Sequence, residues 1–425
     1  MNRKMGLLTA VGVICLCGGA FAAWDIGEPI TMYFAGPGYP GHPEKMTERA
    51  AKELKAAGFN TVWGSSEEEL DVARKFGLRM LYNLNIDARY FKTTETNRLQ
   101  EIEATVRRIK DHPALYIYRQ CDEPWEGLFA DLSRMRDWLH ERDPNHPTWV
   151  NLLPTYANNE QLGVEGEIIC AYVEHVRRFC ETYRPEVMSY DHYQFNNGFD
   201  TPNYLLNLSI VREAAAAQGV PFVNGVQACT WSPGTAASPG APRIPGPDEM
   251  RYLVYTTLAY GAQGIYYYVY SYPGHLGSIV SIEDGKLDAK YEALKGLNPA
   301  FIAFAKEIRG HKFVGAYLQG VQAAGATPYC EAAQLKLSPA APNRPIGQDG
   351  LFTDTTLVSR FDKDGRAALF MVVNMDYHTA RTVTVTAPGP LERFSPVTHA
   401  WVPANGNSTE LKLKRGGGAL LRLAR

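Results

Sequence analysis

Leu115-Tyr116-Ile117-Tyr118-Arg119-Gln120-Cys121-Asp122-Glu123-Pro124-Trp125 is a β-rich run that stops at two carboxylates and a proline. The stretch Glu126 to Arg142 behind it has the period of an amphipathic helix, so the segment predicts a strand passing into a helix through a short loop. Working outward, the same unit recurs. Strands are predicted at Ile30 to Phe34, Asn60 to Trp63, Arg79 to Asn83, Leu115 to Arg119, Thr148 to Leu152, Val187 to Tyr190, Pro221 to Val226 and Gly264 to Tyr270. Helices are predicted at Glu44 to Ala57, Glu67 to Phe76, Asn97 to Lys110, Glu126 to Arg142, Gln161 to Tyr183, Asn203 to Gln218, Glu249 to Tyr260 and Tyr291 to Ile308. Eight strand–helix pairs in about 280 residues have the size of a (β/α)8 TIM barrel. A doubly wound open sheet is the alternative, and its nucleotide-binding forms lose support because no GxGxxG or GxxxxGK[ST] follows a strand.

From about Lys312 the pattern changes. Short β-rich runs at Leu351 to Phe361, Ala367 to Asn374, Thr382 to Ala387, His399 to Val402 and Ser408 to Leu413 alternate with Gly, Pro, Asn and Asp, which predicts an antiparallel β-sandwich with a structural role. At the other end, Arg3 and Lys4 precede an apolar stretch from Met5 to about Ala20 and a small-x-small pattern, Ala20-Phe21-Ala22. This reads as a signal peptide over residues 1–22, hence a secreted or periplasmic protein. The apolar run falls short of the roughly 20 residues of a spanning helix, so no stable membrane span is expected. Cys17 before Gly18-Gly19 resembles a lipidation site, but Leu16 is bulky for one. The resulting organisation is a leader at 1–22, a barrel at 23–311 and a β-sandwich at 312–425.

Composition narrows the partners. Lys and Arg number 43 against 45 Asp and Glu, for a net charge of −2 without long runs of either sign, which lacks the footprint of a nucleic-acid binder. Neutral small molecules or glycans fit better. Outside the leader stand Cys121, Cys170, Cys180, Cys229 and Cys330, an odd set without CxxC spacing, so neither a disulfide framework nor a zinc site is expected. Cys170 and Cys180 share one predicted helix about 15 Å apart, beyond bridging distance, and are expected to be core thiols. No metal or organic cofactor is called for.

The chemistry concentrates at strand ends, which a barrel gathers around one mouth. Asp122 and Glu123 are adjacent carboxylates there. Glycosidic cleavage needs a proton donor for the leaving oxygen and a second carboxylate to stabilise positive charge or activate a nucleophile. A neighbouring negative charge and partial burial raise a carboxyl's pKa, so Glu123 is the candidate acid and Asp122 its partner. An acidic cap before Pro124 at a helix start explains the same residues without chemistry. Asp191, in Ser189-Tyr190-Asp191-His192-Tyr193, is the next strand-end carboxylate, a nucleophile, base or sugar ligand, or else a plain acceptor for loop amides. His192 is a hydrogen-bonding or packing residue before it is a base. Trp63, Asn151, Tyr193, Gln227, Trp231 and Tyr270 join it as candidate substrate contacts, since aromatic rings combine a flat apolar face with a polar handle. Trp125, Tyr267 and Tyr272 also fall near the predicted mouth. The Pro-, Gly- and Ala-rich loop Ser232 to Pro247 would overhang that mouth as a lid, or be a plain insertion.

Taken in order, Asp122-Glu123-Pro124 after strand four, Asp191-His192-Tyr193 after strand six, and Leu258-Ala259-Tyr260-Gly261-Ala262-Gln263-Gly264-Ile265 leading into strand eight resemble the clan A barrel glycosidases. The resemblance is nearest to the bacterial family 42 β-galactosidase-like proteins. It spans roughly residues 28 to 310, and the β-rich tail is similar to the C-terminal domain such enzymes often carry. It implies that Glu123 is the acid/base residue, although Asp122 stands where the clan usually has Asn. It also implies a nucleophilic glutamate at the end of strand seven, where this chain has Val226-Gln227-Ala228. Gln227 cannot form the usual glycosyl ester. Three expectations stay open. Asp191 serves with inversion; or the substrate's acetamido group attacks, as in family 123 hexosaminidases with a similar Asp-Glu pair; or the barrel binds glycan without cleaving it.

Overall fold

The computed structural model describes residues 24–36, 45–85, 96–231 and 238–424. The expected signal peptide lies outside them, as does the 232–237 part of the expected lid.

Eight parallel strands form one sheet: β1 (Ile30–Tyr33), β2 (Thr61–Gly64), β3 (Arg79–Asn83), β4 (Leu115–Asp122), β5 (Thr148–Leu152), β6 (Met188–His192), β7 (Phe222–Gln227) and β8 (Gly264–Tyr268). Their order around the sheet is β1-β8-β7-β6-β5-β4-β3-β2, every ladder parallel. The two edge strands meet through Asn60. Its backbone amide donates to the Thr31 carbonyl at 3.2 Å, and its side-chain oxygen accepts from the Thr31 amide at 3.1 Å. A side chain thus supplies the bond a further ladder residue would have made, and the sheet curls into a barrel.

Helices cover the outside: α1 (Glu48–Ala56), α2 (Glu67–Lys75), α3 (Thr96–Ile109), α4 (Phe129–Arg142), the one-turn α5 (Asn159–Leu162), α6 (Ile168–Thr182), α7 (Tyr204–Gln218), α8 (Pro247–Ala259) and α9 (Ala289–Ile308). The single helix expected over Gln161 to Tyr183 is split because Gly163 closes α5 in the left-handed conformation at φ 71°. Cys180 is buried on α6, but Cys170 is exposed on the same helix, which corrects its reading as a core thiol. Alternation along the strands sorts the side chains. Ile30, Met32, Leu81, Ile117, Trp149, Val223 and Tyr266 fill the barrel interior, while Met80, Tyr118, Val150, Tyr190 and Tyr267 pack under the helices.

The chain beyond α9 is an antiparallel β-sandwich, as expected. A seven-stranded sheet includes Lys312–Gln319, Thr356–Lys363, Arg366–Asn374 and Gly418–Leu423, and a three-stranded one joins Lys336–Ser338, Arg381–Thr386 and Ser408–Leu413. Val358, Phe370, Val372 and Leu421 meet Val383, Val385 and Leu411 between the two sheets. The opposite face of the larger sheet, with Leu357, Leu369, Met371 and Leu420, joins the core under the barrel helices. Among the described residues no helix is long and apolar enough to cross a membrane, and no cluster of His, Cys, Asp and Glu is arranged to hold a metal ion.

Candidate active site

The carboxylates converge at the carboxyl end of the barrel because of a local irregularity in β4. Arg119 pairs with Trp149, but the register slips by one residue at Gln120, so that Cys121 pairs with Val150 and Asp122 with Asn151. Strict alternation from Ile117 and Arg119 would send Cys121 inward. The bulge sends Asp122 inward instead, the usual effect of an extra residue at a barrel rim. Immediately afterwards Glu123 takes φ 46°, a left-handed conformation uncommon for a non-glycine residue, and its amide donates to the Asn151 carbonyl at 2.8 Å. The acidic pair does not cap a helix. Trp125 occupies the N-cap of the following 3-10 turn (Glu126–Leu128), without a side-chain cap bond.

Asn151 ties the cluster together. Its Nδ2 donates to Asp122 Oδ1 and to Asp191 Oδ2, each at 3.1 Å, while its Oδ1 accepts from Tyr266 at 2.7 Å and Ser189 at 2.9 Å. Tyr266 reaches it by crossing Gly225, where any Cβ would collide with the phenol ring. Tyr193 donates its hydroxyl to Asp191 Oδ2 at 2.9 Å. Asp191 is buried, whereas the Asp122 side chain is 42% exposed. Asp122 therefore meets water on one side while protein walls its others.

The three carboxyls are not equivalent electrostatically. Burial pushes Asp122 upward, but the guanidinium of Arg119, 3.3 Å away, and the Asn151 amide oppose this. Arg119 is itself steadied between the rings of Trp63 and Phe34, 5.0 and 5.5 Å from their centres, and by Asn83 at 3.5 Å. Among the described residues no such cation acts on Glu123. Burial and then the charge of Asp122 raise it to about 7, against a hydrogen bond with Asp191. Burial and the charges of Glu123 and Asp122 hold Asp191 well above the ordinary range. Among the described residues no donor reaches the buried Asp191 Oδ1. Burial and mutual repulsion thus favour a bound proton in this cluster, with Arg119 offsetting that pressure at Asp122 and Glu123 raised to about 7.

Aromatic residues line the arc from β6 to β8. Tyr193 lies 4.8 Å from Trp231 and 5.4 Å from Tyr268, centre to centre, and Tyr268 donates to or accepts from His275 at 2.9 Å. Of the residues expected here, Asp122, Glu123, Asp191, Asn151, Tyr193, Trp231 and Trp63 come together. Three do not. His192 is fully buried behind the mouth, with its nitrogens bonded to Asn207 at 3.0 Å and Thr201 at 2.9 Å, and burial lowers it to about 4, a neutral strut. Gln227 is buried with its amide bound to the amide and carbonyl of Phe195 and the carbonyl of Arg243, at 2.8–3.1 Å. Tyr270 packs behind the sheet on Tyr33 and Phe59. Arg119, Tyr156, Tyr266 and Tyr268 were missed. Position at or beside strand ends was the available signal for three of them. A separate cavity of about 440 Å³, lined by Arg212, Tyr260, Phe313 and others, lies at the opposite end of the barrel and away from this cluster.

No protein-family model matches the chain, and no curated protein matches it. Solved structures do. A β-galactosidase from Bacillus circulans sp. alkalophilus superposes with a TM-score of 0.59 over 93% of this chain and 99% of its own, at 10% identity. A protein described as a glycoside hydrolase gives 0.50 over 95% and 98%, at 13% identity. At such identities the likeness is one of architecture. The chain shares the overall fold of these proteins, here a (β/α)8 barrel followed by a β-sandwich.

Proposed function

We propose that the protein is a glycoside hydrolase in which Glu123 protonates the leaving glycosidic oxygen. The observation that carries this reading is the convergence of Asp122, Glu123 and Asp191 at the carboxyl end of the barrel beside the Tyr193 and Trp231 rings, where burial and the charge of Asp122 raise Glu123 to about 7. A carboxylic acid kept neutral near pH 7 donates its proton, and the remaining anions stabilise the positive charge that develops on the sugar. Tyr193 and Trp231 offer apolar faces to a sugar ring, and a carbohydrate is the partner.

The second carboxylate defines the finer mechanism. Retaining enzymes hold two carboxyls about 5–5.5 Å apart across the sugar and inverting ones about 6.5–9.5 Å. Here Asp191 Oδ2 is already held by Asn151 and Tyr193, and the amide of Gln227 is consumed by backbone groups. Both facts favour a second reading, in which the substrate's acetamido group attacks and Asp122 orients it, as an N-acetylhexosaminidase would. Secretion through the N-terminal leader remains part of the proposal.

The test is Glu123→Gln assayed with nitrophenyl glycosides and glycans. The wild type should cleave at least one, and the variant should lose about 100-fold or more in kcat. Because the acid acts protonated, wild-type activity should fall as pH rises through about 7. A wild type that binds glycans and cleaves none would be a non-catalytic sugar-binding barrel. The acetamido reading also requires retention in the first anomer released and inhibition by a thiazoline; inversion would eliminate it.

A further inference from the structure

Trp125 follows the proposed acid by two residues and is 50% exposed. An indole left half in water forgoes burial energy, and here the exposure is built into the backbone. Gly127 and Gly163 both lie against its six-membered ring: a Cβ at 127 would collide with Cη2, Cζ3 and Cζ2, and one at 163 would stand 3.1 Å from Cε3. Two positions without side chains, one in the turn after β4 and one closing α5, therefore seat the ring in a fixed place on the rim. Tyr156, in the loop after β5, is 47% exposed, and its hydroxyl accepts the Tyr193 amide at 3.2 Å. The charges of Asp191 and Glu123 both reach that hydroxyl. Half-exposed rings thus stand on the rim after β4 and β5, with Tyr156 joining them to Tyr193.

We propose that Trp125, assisted by Tyr156, forms a leaving-group subsite that stacks on the apolar face of a sugar ring, so that the substrate is an oligosaccharide continuing beyond the cleaved bond. This rests on Glu123 being the general acid. The proton goes to the oxygen that departs with the leaving group, and Cα atoms two residues apart are separated by at most about 7 Å. A half-exposed ring at position 125 therefore stands within reach of that group.

Binding can be read without turnover. Glu123→Gln protein would be titrated calorimetrically with gluco-, xylo-, manno-, galacto- and N-acetylglucosamine oligosaccharides of two to five units, alone and combined with Trp125→Ala or Trp125→Phe. At least one series should bind. Trp125→Ala should weaken the longer members about tenfold and the shortest less, while Trp125→Phe should stay within about threefold. A thermal melt checks that each variant folds. Equal binding by Trp125→Ala, equal losses at every length, or no binding by any series overturns the proposal. Failure of the hydrolase reading looks different: binding and its Trp125 dependence persist while the wild type cleaves nothing.

Discussion

Arg119 favours the anion at one of two adjacent carboxyls, Asp122. It stands 3.3 Å from Asp122 and is braced by Trp63, Phe34 and Asn83, whereas the charges acting on Glu123 among the described residues are those of carboxyls. Removing the charge by Arg119→Met leaves Asp122 with burial and no cation, so it competes for the proton. A neutral Asp122 no longer raises Glu123. The basic limb of the kcat profile should then move about one unit toward lower pH, and the Asp122 carboxyl should titrate higher by 13C NMR; an unchanged limb would refute this role. The carboxyls themselves were legible, because Asp122, Glu123 and Asp191 sit at strand ends beside turn residues. Arg119 was not, because the slip at Gln120 that brings Asp122 onto its face leaves no trace in the alternation of apolar residues.

Strand β7 shows why element ends are harder to read than elements. Val223, Gly225 and Gln227 share its inner face, so position 227 was reasonably expected at the mouth. The side chain instead serves the hairpin at Phe195–Asn196 and the segment carrying Arg243, a tertiary demand that no local pattern encodes. Its Nε2 faces the carbonyls of Phe195, Cys229 and Arg243. Gln227→Glu therefore points a buried carboxylate at three acceptors. It should lower stability by about 2–4 kcal/mol in chemical denaturation and fail to create a glycosyl-ester intermediate. Trapping of such an ester by mass spectrometry would show that the loop can rearrange. Tyr270 is the converse case: Tyr266 and Tyr268 face inward, and the chain past the strand turns Tyr270 against Tyr33.

At the scale of the molecule, the eight strand–helix units and the β-sandwich were legible from periodicity, whereas the way the two modules join was not. One junction is a polar cluster. Asp200 accepts from Tyr377 of the sandwich at 2.7 Å and pairs with Arg243 at 3.3 Å; Arg243 also pairs with Glu249. Burial raises Asp200 to about 6 despite these partners. A carboxyl held higher in the folded than in the unfolded chain stabilises the fold below about pH 4, and that contribution is lost as pH rises through about 6. The wild type should therefore lose on the order of 2–3 kcal/mol over that interval relative to Asp200→Asn. Urea midpoints from pH 4 to 8 measure it, and parallel curves for the two proteins would disprove it. The module boundary thus has its own acid dependence, separate from that of the cleft.

Gly225 links the barrel's interior to its chemistry. Because Tyr266 crosses that residue to reach Asn151, a single added methyl group there displaces the phenol, frees the amide that orients Asp122 and Asp191, and loosens both at once. The reactivity of the cleft is thereby tied to an atom too small for the sequence to advertise, deep in the wall and out of reach of any sugar.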